Sequence, residues 1–152
     1  MKKTRRVQKL RPTSSLVKNA LFNILGNIED LAFLDLFAGT GQIGLEAERR
    51  GAQVIYVEKN PSRVLEIKKK AKGKVIRGDA LKVLDRLDIQ PNIIFADPPY
   101  NFEEYELLIH KSLKALAPGG LFILEHDKRK EFQADEVRIY GDTALSFWRK
   151  KE

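Results

Sequence analysis

The chain has 152 residues, is 43% hydrophobic and 32% charged, and carries a formal net charge of +7 with no cysteine. That length and composition fit one folded domain with its own core. They exclude a disulfide framework and a thiolate metal site, and no apolar run is long enough to span a membrane as a helix.

Taken in chain order, Met1-Lys2-Lys3-Thr4-Arg5-Arg6 is basic, and no apolar segment follows it as a secretory signal would require. A weak strand is expected near Val7–Leu10. Pro12-Thr13-Ser14 reads as a helix start, with Val17, Ala20, Leu21, Ile24 and Leu25 at helical spacing and Gly26 as the stop. Ala32–Phe37 is an apolar strand interrupted by Asp35. A glycine loop spans Gly39–Gly44, and a helix runs over Ile43–Arg50 to Gly51. A second strand covers Gln53–Val57 and ends at Glu58. Pro61–Lys72 is a charged helix, Lys74–Ile76 a short third strand, and Leu81–Leu87 a short helix after Gly78-Asp79-Ala80.

Asn92–Ala96 is a buried fourth strand bounded by prolines, and Phe102–Leu116 is helical. After Pro118-Gly119-Gly120, Leu121–Leu124 is a fifth strand. Glu136–Tyr140 and Ala144–Trp148 form a hairpin around Gly141-Asp142-Thr143. Strands that alternate with helices predict an α/β fold: a doubly wound, mostly parallel sheet with a C-terminal antiparallel hairpin.

The excess of Lys and Arg favours a polyanionic partner, nucleic acid above all. Three basic clusters stand out: Lys2 to Arg11, Lys68 to Lys74, and Arg149 to Lys151. The first lies outside any core element and is assigned to nucleic acid; the second reads as the solvated end of a helix. His110 and His126 have no acidic cluster at ligand spacing, so no metal site is assigned.

Gly39-Thr40-Gly41-Gln42-Ile43-Gly44 matches the glycine pattern of dinucleotide-binding loops, with Glu58 at about the right distance. Asp35 argues against a dinucleotide, because a carboxylate there would face a pyrophosphate. It suits a ligand with an amino group and a sulfonium. Its structural alternative is a cap on the following helix. Asp97-Pro98-Pro99-Tyr100 sits where the fourth strand ends, the edge at which open α/β sheets bind ligands. The two prolines lack N–H groups and hold φ fixed, so their carbonyls are placed acceptors. A carboxylate, a carbonyl and a flat ring can grip the NH2 of a planar base. The plainer alternative is a turn that ends a strand.

These strings together resemble a family. Asp35–Gly41 is similar to the first motif of class I S-adenosylmethionine-dependent methyltransferases, and Asp97-Pro98-Pro99-Tyr100 to their amino-methylating motif. Arg11-Pro12-Thr13, Leu21-Phe22-Asn23, Leu36–Gly41 and Gly44-Leu45-Glu46-Ala47 resemble the bacterial 16S ribosomal RNA guanine-N2 methyltransferases of the RsmD type. The resemblance covers residues 11–150. Members carry a longer basic hairpin before Arg-Pro-Thr, whereas ten residues precede Arg11 here.

The resemblance implies a Rossmann-like, seven-stranded domain over residues 11–152 after a basic segment at 1–10. S-adenosyl-L-methionine is the implied cofactor and ribosomal RNA, or a small-subunit particle, the partner. A cytoplasmic monomer without metal is expected. Asp35, Phe37, Gly39, Gly41, Glu58, Lys59, Asp79, Ala80 and Asp97 are the implied cofactor residues. In that set Asp35 meets the ammonium, Glu58 the ribose hydroxyls, and Asp79 and Ala80 the adenine. Asp97, Pro98, Pro99 and Tyr100 are the catalytic set, and Arg5, Arg6, Lys9 and Arg11 bind RNA. Three other readings are weighed. An adenine-N6 DNA methyltransferase needs a large recognition region. A protein glutamine methyltransferase carries Asn where Asp97 stands. An inert nucleic-acid-binding module would not need Asp35, Glu58 and Asp97 intact.

Overall fold

The computed structural model describes residues 14–152, so the weak strand expected near Val7–Leu10 and the basic residues Arg5, Arg6, Lys9 and Arg11 lie outside it. In chain order the elements are α1 (Ser15–Leu25), β1 (Ala32–Leu36), α2 (Gln42–Arg49), β2 (Gln53–Glu58), α3 (Pro61–Lys70) and β3 (Lys74–Arg77). There follow α4 (Ala80–Leu84), β4 (Ile93–Ala96), α5 (Tyr105–Ala115), β5 (Leu121–Asp127), β6 (Glu136–Tyr140) and β7 (Thr143–Arg149).

Local chemistry sets the helix starts. Ser14 Oγ accepts the N–H of Val17, and Asn60 Oδ1 accepts those of Ser62 and Arg63, with Pro61 at the first helical position. Asp79 Oδ2 accepts the N–H of Lys82 and so opens α4. Gly26, at φ +68°, stops α1 where a β-carbon would be disfavoured.

The described strands form one seven-stranded sheet in the order β3-β2-β1-β4-β5-β7-β6. β1 to β5 are parallel, and β7 runs antiparallel to both β5 and β6. The doubly wound sheet and its C-terminal hairpin are therefore as expected. The hairpin docks through its second strand, so β7 is interior and β6 is the edge.

Alternate residues of each strand feed two cores. Phe33, Tyr56, Phe95 and Ile123 pack with Leu21, Phe22, Ala47 and Ile67 of α1, α2 and α3. Leu34, Val57, Ile94 and Leu124 pack on the other face with Leu81, Leu84 and Leu108 of α4 and α5. Central strands buried on both faces are what a parallel sheet covered by helices requires.

Several boundaries moved: the helix expected over Leu81–Leu87 spans Ala80–Leu84, and the one expected over Pro61–Lys72 ends at Lys70. The helix expected from Phe102 begins at Tyr105, because the N–H of Phe102 is held by the Pro99 carbonyl in a turn. The strand expected to stop at Leu124 runs on to Asp127, because Glu125, His126 and Asp127 pair with Leu145, Ala144 and Thr143 of β7.

Candidate active site

A cleft of about 1300 Å³ opens where the parallel strands end. Its wall takes in Asp35, Phe37, Gly39, Glu58, Lys59, Asp79, Ala80, Asp97, Pro98, Pro99 and Tyr100, which is every described residue singled out from the sequence except Gly41. That is the edge where doubly wound sheets hold ligands.

Asp35 stands in β1 with 1% of its surface exposed, and its Oδ2 accepts the N–H of Gly44 at 3.0 Å. The helix-capping alternative is thus realised, and the residue still reaches the cleft. Burial pushes its carboxyl up to about 8; the charges of Asp97 and Glu58 add to this, and the Gly44 bond offsets part of it. Glu58, at the end of β2, accepts the N–H of Gly39 on Oε1 at 2.7 Å and that of Asn60 on Oε2 at 2.9 Å. Each oxygen keeps a further lone pair for a ligand.

The glycines of the loop do three different jobs. Gly39 needs its φ of +60°, and a β-carbon there would meet nothing of the protein closer than the Phe37 carbonyl at 3.9 Å. Gly41 stands at φ +83°, and its β-carbon would press on Ile67 at 3.1 Å. It stands just before α2 and against Ile67 of α3, so packing between these helices also requires a glycine here. Gly44 lets α2 lie on β2, since a β-carbon would fall 2.3 Å from Tyr56 Cε2.

Beyond β4, Asp97 and Pro98 face the cleft, and Tyr100 stands at its mouth with 87% of its surface exposed. The Pro99 carbonyl accepts the Phe102 N–H at 2.9 Å, and the Pro98 carbonyl is the acceptor next to Asp97 along the chain. Rings wall this side: Phe37 meets Phe102 edge-on at 5.3 Å, Phe102 meets Tyr105 at 5.1 Å, and Tyr105 meets Phe132 at 5.2 Å.

The sequence reading missed Glu125, His126, Asp127, Arg129 and Lys130, which also line the cleft. The signal was there to find: residues just after the C-terminal end of a parallel strand belong to the ligand edge. His126 is a spent group. Its Nδ1 donates to the Asp127 carbonyl at 2.8 Å and its Nε2 bonds Ser146 Oγ at 2.7 Å, while burial lowers its pKa. Arg129 grips Asp127 through Nε and Nη2 and holds that carboxyl well below the usual carboxylate range.

The other two described basic clusters are elsewhere. Lys68, Lys69 and Lys70 end α3, and with Lys72 and Lys74 they sit where β3 begins, at the far end of the sheet from Asp97. Arg149 donates to the Gly119 carbonyl, and Lys150 Nζ to the carbonyls of Lys114 and Leu116, so both secure the same far end. Among the described residues no group of His, Cys, Asp and Glu could hold a metal ion, and no helix is long and apolar enough to cross a membrane.

Comparison with known proteins agrees with this fold. The family model described as conserved hypothetical protein 95 matches residues 2–149. The putative rRNA methyltransferase YlbH of Bacillus subtilis is 30% identical over 93% of this chain and 88% of its own length. Ribosomal RNA small subunit methyltransferase D of Escherichia coli is 39% identical over 90% of this chain and 65% of its own. The solved structure of the putative methyltransferase yhhF from Escherichia coli superposes with a TM-score of 0.81 at 28% identity, covering 93% of this chain and 88% of that one. The chain therefore belongs to the conserved hypothetical protein 95 family, the RsmD-type group of class I methyltransferases.

Proposed function

We propose that this protein transfers a methyl group from S-adenosylmethionine to the exocyclic N2 amine of a guanine in 16S ribosomal RNA, in the cytoplasm. The observation that carries the reading is the pair of acceptors at the end of β4, Asp97 and Pro98, set in the same cleft as Asp35, Glu58 and Asp79. The family supports it, as does the name of its Escherichia coli relative.

The residues fit the cofactor. A cleft floored by carboxylates suits a cation with hydroxyls and repels a pyrophosphate. When bound, S-adenosylmethionine supplies an electrophilic methyl group on a sulfonium. Glu58 accepts the ribose hydroxyls with the lone pairs left after Gly39 and Asn60. The second oxygen of Asp79 accepts the adenine amino group, and Ala80 N–H donates to the ring. The stem of Lys59 and Leu81 flank the adenine, and Asp35 meets the ammonium.

The target nitrogen is a poor nucleophile because its lone pair is delocalised into the base. Asp97 and the Pro98 carbonyl accept its two N–H groups and turn that lone pair out of the ring plane. The Asp97 carboxylate also faces the positive charge that grows on nitrogen, a preorganised electrostatic effect. Tyr100 stacks on the base. No tuned general base is required, since a methylated ammonium gives its proton to water. Most of the acceleration comes from positioning. The base must leave its stack to reach this pocket, at a cost of a few kcal/mol. Arg5, Arg6, Lys9 and Arg11 hold RNA phosphates.

Tritiated-methyl transfer to 16S ribosomal RNA, naked and in small-subunit particles, followed by nucleoside analysis tests the reading. N2-methylguanosine is the expected product. N6-methyladenosine would move the enzyme to another substrate class. Absence of both product and cofactor binding would leave an inert binding module.

A further inference from the structure

We infer that the turn after β5, Asp127-Lys128-Arg129-Lys130, clamps the RNA backbone at the lip of the cleft. In this arrangement Arg129 and Lys130 hold phosphates flanking the target nucleotide, and only the base goes inside. The inference rests on the RNA-methylation reading above and assigns that reading a binding surface.

Charge zoning is the first observation. The floor of the cleft presents Glu58, Asp79, Asp97 and Glu125, whereas on its border Arg129 and Lys130 are exposed, with Lys128 beside them, and outnumber the carboxylates of Asp127 and Asp142 there. A phosphodiester is repelled by such a floor and attracted by such a lip, while an uncharged base is free to enter. The surface thus sorts the two halves of a nucleotide.

Position is the second. Among the described residues, the lysines and arginines on the cleft wall are Lys59, Arg63, Arg129 and Lys130. Lys59 and Arg63 adjoin Glu58 and the start of α3, on the cofactor side. Arg129 and Lys130 stand on the side of Tyr105 and the Asp97 turn. The clusters at 68–74 and 149–151 lie at the far end of the sheet and cannot reach a nucleotide bound at Asp97.

Preorganisation is the third. Asp127 Oδ1 accepts the N–H of Arg129, its carbonyl accepts that of Lys130, and the Asp142 carbonyl accepts that of Lys128. Lys130 Nζ sits 5.3 Å from the centre of the Tyr105 ring. Just beyond, Phe132 packs on Tyr105 and, edge-on, on His126 at 4.9 Å. Arg129 spends two of its five N–H donors on Asp127, and three remain for phosphate oxygens. A side chain already held costs less entropy to immobilise on binding.

The test is the double variant Arg129→Ala/Lys130→Ala, with Lys69→Ala/Lys70→Ala as the far-end control. A 16S ribosomal RNA fragment is titrated at several salt concentrations, KM is measured for small-subunit particles, and S-adenosylmethionine affinity is read by calorimetry. The lip variant should raise KM for RNA about tenfold and flatten the salt slope by about 1.4, for two single-strand phosphates at about 0.7 each. Its cofactor affinity should not change, which also shows that it is folded. Arg129→Lys/Lys130→Arg should recover most of the loss, and the control should match the parent. Salt curves that superimpose on the parent's would overturn the clamp. So would a loss of affinity with an unchanged slope, or a loss seen with particles and not with naked RNA, which would place a ribosomal protein on the lip. Failure of the parent protein to methylate any RNA would sink the enzymatic reading by itself, while the salt slopes still judge the clamp.

Discussion

Asp97 and Asp35 stand near the ends of neighbouring strands on one cleft, and the charge of Asp97 makes Asp35 harder to ionise. Burial is the larger cause, and together they push Asp35 up to about 8. A bound ammonium favours the ionised form, so binding expels a proton below that pH. Affinity for S-adenosylmethionine should climb with pH, by at most about tenfold per unit, and level off above about 8. Asp35→Asn should flatten the curve. The sign for folding is opposite. The native state holds this proton longer than the unfolded chain, so stability falls as pH rises from about 4 to about 8. Calorimetry between about pH 6 and 9 checks the first statement, and a flat parent curve would remove Asp35 from the ammonium site.

Asp97→Ala should nearly abolish methyl transfer while cofactor affinity is largely kept, because the role proposed for this side chain is on the amine. Asp97→Asn should be milder, since an amide oxygen still accepts a hydrogen bond. Single-turnover rates with saturating cofactor separate the two. Transfer by the alanine variant at the parent rate would end the assigned role.

Glu58→Ala should weaken cofactor binding by a few kcal/mol at most, the range for charge-assisted bonds to two hydroxyls. It also strips Gly39 N–H and Asn60 N–H of their acceptor, so the loop should melt earlier. Unchanged calorimetric affinity would mean that Glu58 does not hold the ribose. Tight binding of NAD would restore the dinucleotide reading.

Gly44→Ala should cost about 1–3 kcal/mol of stability through overpacking against Tyr56. In thermal melts this appears as a drop of several degrees. An unchanged melting temperature would show that the α2–β2 contact yields easily.

Deleting residues 2–9 removes Arg5, Arg6 and Lys9 along with Lys2 and Lys3. RNA binding should weaken most at low salt, and the slope should fall by about 0.7–0.9 for each phosphate that the trimmed protein no longer holds. Superimposable curves for full-length and trimmed proteins would make the segment a solvated tail.

The place of the Asp97–Tyr100 string on the cleft was legible because its signal is local. Asp97-Pro98-Pro99-Tyr100 follows an apolar strand bounded by prolines, and such a strand ends at the ligand edge. Glu58 and Asp79 were legible for the same reason, each closing a strand or opening a helix. A glycine pattern does not say which neighbour forces each glycine, and at Gly41 one such neighbour is Ile67, far along the chain. The polar run Glu125-His126-Asp127 hid the end of β5, since its strand conformation comes from pairing with β7 and not from alternation. That pairing, and with it the basic lip, needed the long-range order of the sheet.

The series of rings that begins on the cleft wall leads away from it, through Phe132, to Trp148, the one tryptophan in the sequence. Trp148 stacks on Phe122 at 5.3 Å, meets Phe132 at 6.3 Å and donates its indole N–H to the Gln133 carbonyl. Phe132 belongs to the same stretch as the basic lip. The molecule therefore carries a built-in optical reporter: seating of a ligand against the lip should register in the wavelength or lifetime of its intrinsic ultraviolet emission, with no dye attached.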